Sequence, residues 1–81
     1  MFTVYILYSI KIDRFYVGHT SNIEDRIQRH NTGRSLYTKG GVPWELVYTE
    51  IFQTKSQAYQ RELEIKKQKS KEYIKSLLPK K

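Results

Sequence analysis

Five side chains of this sequence are placed where their chemistry asks for an explanation: two phenols, Tyr5 and Tyr16, the pair Arg26 and His30, and the carboxylate of Glu62. Arg26 and His30 stand four apart, so on a helix they share a side. With Ile23 and Ile27 they fill one arc of about 100° on a wheel of 3.6 residues per turn. Both therefore lean toward the packed side. The ordinary reading is that Arg26 runs its aliphatic stem past the core and His30 favours the helix C-terminus. Glu62 falls in the arc of Ala58 and Ile65, where a carboxylate is costly unless a cation faces it. That cation is either Arg26, in a buried ion pair, or a metal ion. Tyr5 and Tyr16 flank a short turn and can both face the helix that carries Arg26, although tyrosine in a small sheet also serves as packing.

These residues are positioned by a short series of elements. Phe2 to Ser9 alternates, with Phe2, Val4, Ile6 and Tyr8 on one face and Thr3, Tyr5, Leu7 and Ser9 on the other. A turn at 11–14 leads to a second strand at Phe15–Gly18, which predicts an antiparallel hairpin. Ser21-Asn22-Ile23-Glu24 has the spacing of a capping box with Ser21 as N-cap, so a helix runs to about Asn31 and stops at Gly33. Residues 34–43 form a loop holding Gly40, Gly41 and Pro43. Trp44 to Phe52 is a third strand, with Trp44 packed in the core. Thr54-Lys55-Ser56-Gln57 opens a second helix that runs to about Lys69, and Ser70 starts a short last helix ending near Leu78, before Pro79. The expected class is α+β: a small three-stranded antiparallel sheet flanked by helices, in the order β-β-α-β-α-α.

At 81 residues the chain fits one domain, 1–81, with a basic helical segment at about 54–78. Leu, Ile, Val and Phe make up 21 residues, enough for a small core that the seven tyrosines and one tryptophan must help to fill. The absence of cysteine excludes a disulfide scaffold, a Cys-ligated zinc site and thiol catalysis. No apolar run approaches the ~18 residues of a membrane span. No signal-peptide pattern opens the chain, so the expected location is the cytoplasm. The net charge is +7 and is not spread evenly. Residues 1–54 hold six Lys/Arg against five Asp/Glu, whereas residues 55–81 hold nine against three. A basic third of a small domain is the footprint of a phosphate-bearing partner, or else a lysine-rich solvated surface. The last helix lacks the aromatic and leucine face needed to lie on a membrane.

Taken in order, these pieces resemble the GIY-YIG nuclease superfamily, and within it the small stand-alone members similar to the N-terminal nuclease domain of an excinuclease. Thr3-Val4-Tyr5 stands for the first signature half, with threonine in place of glycine. Tyr16-Val17-Gly18 stands for the second, followed by Thr20. Arg26 and His30 match the Arg-x-x-x-His helix, with Gly33 behind it. Ala58 to Glu62, continuing to Ile65-Lys66, matches the segment bearing the metal-binding glutamate. The resemblance covers residues 2–67. It implies that Tyr5 and Tyr16 are active-site tyrosines, that Arg26 is the catalytic arginine, that His30 assists, and that Glu62 holds one divalent ion, Mg²⁺ or Mn²⁺. The family often carries an asparagine after the glutamate helix, and this chain has none beyond Asn31.

The implied activity is metal-dependent hydrolysis of DNA phosphodiester bonds, structure-selective or non-specific, in DNA repair or recombination. Lys66, Lys67, Lys69, Lys71 and Lys75 are the candidate nucleic-acid contacts, which hold phosphates without reading bases. RNA is the second candidate polymer. Larger members attach a separate recognition domain, so specificity here would come from a protein partner. The alternative reading is a nucleic-acid-binding module of the same fold with little or no turnover. A third is an interaction protein whose Arg26 and Glu62 form a buried pair.

Overall fold

A computed structural model describes residues 1–34 and 36–79. Ser35, inside the loop expected at 34–43, and Lys80 and Lys81 lie outside the described residues. The elements are β1 (Phe2–Ser9), β2 (Arg14–Thr20), α1 (Ile23–Asn31), a 3₁₀ turn at Lys39–Gly41, β3 (Glu45–Phe52), α2 (Lys55–Gln68) and α3 (Lys71–Leu77). The strands form one antiparallel sheet in the order β2-β1-β3. The class and element order are those expected from the sequence. β2 runs two residues past Gly18, and β3 begins after Trp44 rather than on it.

The alternation along β1 supplies a core on each face of the sheet. Val4, Ile6 and Val17 pack with Ala58 and Ile65 of α2, and with Tyr73, Ile74 and Leu77 of α3. Tyr5, Leu7 and Trp44 pack on the opposite face with Tyr16 and with Ile23 and Ile27 of α1. β1 is thus the shared wall of two small cores, and Val4, Tyr5, Ile6 and Leu7 are fully buried in succession. The β1–β3 register shifts between Ile6 and Leu7. Ile6 faces Tyr48 while Leu7 faces Leu46, leaving Val47 as a bulge.

α1 starts one residue later than the capping-box pattern indicates. Asn22, not Ser21, is the N-cap: its side-chain oxygen accepts from the Asp25 amide at 3.0 Å. Asparagine caps as well as serine does, and Thr20 Oγ1 accepts from the Asn22 amide at 3.1 Å, which fixes the entry of the chain. Glu24 and Asp25 then occupy the first turn, where the helix dipole favours negative charge. At the far end Gly33 takes φ +77°, and the Arg34 and Gly33 amides return to the Arg29 and His30 carbonyls. Asn31 then grips the backbone of Trp44 at both ends, accepting from its amide and donating to its carbonyl at 3.0 Å. This clamp fixes the end of α1 to the start of β3.

α2 opens on the capping box expected from Thr54 and Gln57. Arg61 forks onto Glu50 of β3, Nε to Oε1 at 2.9 Å and the second nitrogen to Oε2 at 3.1 Å, and so locks α2 across the sheet. That pairing holds the Glu50 carboxyl below its usual range. α3 is tied back to the hairpin by Lys71, whose ammonium donates to Asp13 through both its carbonyl and its carboxylate. Among the described residues no helix is long and apolar enough to cross a membrane.

The cap assignment is open to direct test. Asn22→Ala should cost about 1 kcal/mol of unfolding free energy, while Ser21→Ala should stay within about 0.5 kcal/mol, both read from urea melts.

Candidate active site

Tyr5 on β1 stands directly opposite Gly18 on β2. Its phenol lies across the bare glycine. A Cβ built on Gly18 would fall 2.6 Å from Tyr5 Oη, 2.8 Å from Cζ and 3.2 Å from the Tyr16 ring. No larger residue fits beneath that ring without moving it. From there the hydroxyl of Tyr5 reaches His30 Nε2 at 3.1 Å, and His30 Nδ1 meets Thr38 Oγ1 at 2.7 Å. The Thr38 carbonyl accepts from Trp44 Nε1 at 2.7 Å and from the Gly41 amide at 3.0 Å. Tyr5, His30 and Thr38 are all buried, so this is an internal hydrogen-bonded chain with both ends anchored.

Tyr16 completes an aromatic group on the α1 face. Its ring centroid is 4.8 Å from that of His30, 6.3 Å from Tyr5 and 6.4 Å from Trp44, the last edge-on. Tyr16 is half-buried, and it borders a groove of about 830 Å³ together with Arg14, Phe15, Tyr37, Trp44 and Lys66. Arg26 approaches from α1, and among the described residues its buried Nε has no hydrogen-bond partner. Burial, then the neighbouring Tyr16, pushes the Tyr5 phenol up, and the charge of Arg26 only partly opposes this. Burial, then Arg26 and Arg29, pulls His30 down from its ordinary range.

Glu62 arrives from the other face of the sheet. It is 8% exposed, and both carboxylate oxygens are occupied. His19 Nδ1 lies 2.7 Å from Oε1, and Lys66 Nζ donates to Oε2 at 2.6 Å. The Lys66 ammonium is also 6.0 Å from the Tyr16 ring centre. The negative charge of Glu62 reaches Tyr5, adding to the rise of its phenol. The group therefore wraps around the outer edge of β2, with Tyr5, Tyr16, Arg26 and His30 on the α1 side. Glu62 and His19 lie on the α2 side, and Lys66 spans the two.

All five residues singled out in the sequence are drawn to this edge, but the pair between Arg26 and Glu62 does not form. The partners of Glu62 are His19 and Lys66. The sequence reading missed His19 because it ended β2 at Gly18. Carrying the alternation two residues further sets His19 beside Val17, on the face of α2. Thr38 was also missed, because its loop has no periodicity to read. Of the lysines, Lys66 is part of the group, and Lys67, Lys69 and Lys75 are exposed. Lys71 is engaged by Asp13. Arg14, which lines the groove, adds a cation that the sequence reading did not include.

The donor set suits a hard divalent ion better than a soft one. Among the described residues no three His, Cys, Asp or Glu side chains converge as a metal cage. Mg²⁺ keeps several waters and needs only one or two carboxylates plus substrate oxygens, so Glu62, separated from the groove by Lys66, is the side chain that could hold it, or Mn²⁺, through an oxygen that Lys66 gives up.

Comparison with known proteins identifies the family. The family model of the GIY-YIG catalytic domain matches residues 1–75. A UPF0213 protein of Natronomonas pharaonis is 48% identical over 64 residues, covering 78% of this chain and 74% of that protein. A Staphylococcus haemolyticus UPF0213 protein is also 48% identical over 64 residues, covering 78% and 77%. The solution NMR structure of a Bacillus halodurans UPF0213 protein is 35% identical, with a TM-score of 0.58, covering 95% of this chain and 82% of that one. The match over residues 1–75 makes this small α+β chain a GIY-YIG catalytic domain, a class that is in general one of nucleases. The chain belongs to the GIY-YIG family, and its similar relatives are small UPF0213 proteins.

Two consequences are measurable. Gly18→Ala should cost about 1–3 kcal/mol by forcing the Tyr5 ring aside, whereas Gly40→Ala, which meets nothing within 4 Å, should stay within about 0.5 kcal/mol. The His30 shift has a definite sign. Its folded pKa lies below the ordinary value of about 6.5, so its contribution to stability is whole above that pH. It is lost as pH falls from there through the folded pKa, because the unfolded chain takes up the proton first. The gap in unfolding free energy between wild type and His30→Gln should narrow from pH 7.5 to pH 5.

Proposed function

We propose that this protein is a metal-dependent endonuclease that hydrolyses DNA phosphodiester bonds, selective for DNA structure or without sequence preference. DNA repair or recombination is the matching setting. The observation that carries the reading is that Tyr16 and Lys66 line an open groove, that Lys66 reaches from it to Glu62, and that the buried Arg26 Nε on the Tyr5 side has no hydrogen-bond partner among the described residues. A guanidinium with a donor left unpaired among the described residues keeps capacity for a further acceptor, and a phosphate oxygen is the acceptor this reading assigns to it.

Each side chain has a role in this reading. Glu62 would hold Mg²⁺ or Mn²⁺, which when bound would supply charge stabilisation for the phosphate and the leaving 3′-oxygen. Arg26 directs its fork at the non-bridging oxygens, where charge grows in the transition state. Tyr16 is the phenol open to the groove, and so it is the one placed to act, in its ionised form, as the base that takes the proton of attacking water. Tyr5 is buried, pushed up and bonded to His30, which suits it to orient Tyr16 and His30 rather than to accept that proton. Lys66, Lys67, Lys69, Lys75 and Arg14 supply the sequence-independent grip on phosphates. Lys71 contributes least, being held by Asp13. A protein partner would add specificity, and RNA is a second substrate to be tried.

The test is a nicking assay on supercoiled plasmid and on branched and flapped duplexes at low salt, with Mg²⁺, Mn²⁺ or EDTA. Cutting should require metal and fall at least about 100-fold in Glu62→Ala and Arg26→Ala proteins that retain wild-type circular dichroism. Tight, salt-sensitive binding without cutting under any metal would instead assign a binding module that keeps the fold.

A further inference from the structure

Lys66 occupies the one carboxylate oxygen of Glu62 that is free to change partners. Oε1 is bonded to His19, which is itself set on β2, 19% exposed, and stacked edge-on against Tyr59 with ring centroids 5.7 Å apart. Oε2 is bonded to Lys66, whose side chain is 47% exposed and hangs from the next turn of the same helix. The two contacts differ in what it costs to break them. Moving His19 disturbs a strand, whereas moving Lys66 only turns a solvated chain about its own rotamers. Lys66 also borders the groove beside Tyr16 and Arg14, where a phosphate would offer its ammonium a charge-assisted partner.

We infer that Lys66 is an exchangeable counter-cation. Its ammonium covers Glu62 Oε2 in the free protein and moves to a phosphate oxygen when nucleic acid enters the groove, leaving that oxygen to the divalent ion. The inference rests on the reading of Glu62 as the metal-holding residue. Two cations cannot share Oε2 at bonding distance without strong repulsion. Lys66 therefore weakens metal binding to the free protein, and by reciprocity nucleic acid that draws Lys66 away strengthens it. Lys67 and Lys69 carry the same charge at the same end of α2, yet neither is among the ion-pair partners of Glu62 in the described residues.

The test measures Mn²⁺ affinity by EPR titration of the full chain without nucleic acid, so it reads binding and not turnover. Lys66→Met should bind Mn²⁺ about 3–10-fold more tightly than wild type. Lys67→Met should change it by less than about 2-fold, the general effect of one charge fewer. Glu62→Gln should abolish the site. Duplex affinity by fluorescence anisotropy in EDTA gives the second arm. There Glu62→Gln should tighten binding several-fold when Lys66 is present and by clearly less in the Lys66→Met background, a coupling that a double-mutant cycle isolates. A Lys66→Met affinity for Mn²⁺ no tighter than that of Lys67→Met, or no coupling in the cycle, overturns the exchange. Mn²⁺ binding that survives Glu62→Gln unchanged overturns the metal reading of Glu62 itself, and the exchange with it.

Discussion

The arrangement depends on a missing side chain. Because Gly18 has no Cβ, the Tyr5 phenol can cross from the central strand over β2, and its hydroxyl comes to rest against His30. Cross-strand pairing then does the rest. Tyr5 and Gly18 are register partners, so Tyr16 falls on the same face, two residues before the glycine, and His19 falls on the opposite face, one residue after it. One strand edge thereby presents a phenol toward α1 and an imidazole toward α2. The site is built where those two faces meet.

Two polar systems converge on that edge, and they are held differently. The chain from Tyr5 through His30 to Thr38 is fully buried and anchored by Trp44 and Gly41. A buried chain with its partners satisfied is stiff, because any shift strands a polar group away from water. The Glu62 system is firm on its His19 side and open on its Lys66 side. A stiff aromatic wall facing an adjustable carboxylate suits a site that must hold one geometry while admitting a charged polymer and its counter-ion. The locks that keep the two faces in register lie away from the site: the Asn31 grip on Trp44, the Arg61 fork on Glu50, and the Lys71 tie to Asp13. None of these is apparent from periodicity, because each joins elements remote in sequence.

What the sequence made legible was local. Alternation along β1 assigned each of its residues to the correct face, and helix spacing put Arg26 and His30 on the inner side of α1. The position of Glu62 among Ala58 and Ile65 correctly demanded a cation. The identity of that cation was not legible, since it depends on how α2 lies on the sheet, and two bases met the same requirement: Lys66 from the next turn and His19 from β2. Ending β2 at its glycine concealed His19. The offset of the α1 cap by one residue arose because Ser21 and Asn22 are equally good caps, and the hydroxyl of Thr20 decides between them.

The proposed function requires that a divalent ion be held at Glu62, beside the edge of β2. Amide NMR spectra of ¹⁵N-labelled protein with substoichiometric Mn²⁺ test this most directly, since paramagnetic broadening falls off steeply with distance. With the ion at Glu62, Gly18, His19 and the α2 amides around Glu62 should broaden first, and Glu62→Gln should abolish the effect. Broadening centred on other carboxylates such as Asp13 or Glu50, or broadening indifferent to Glu62→Gln, would contradict it.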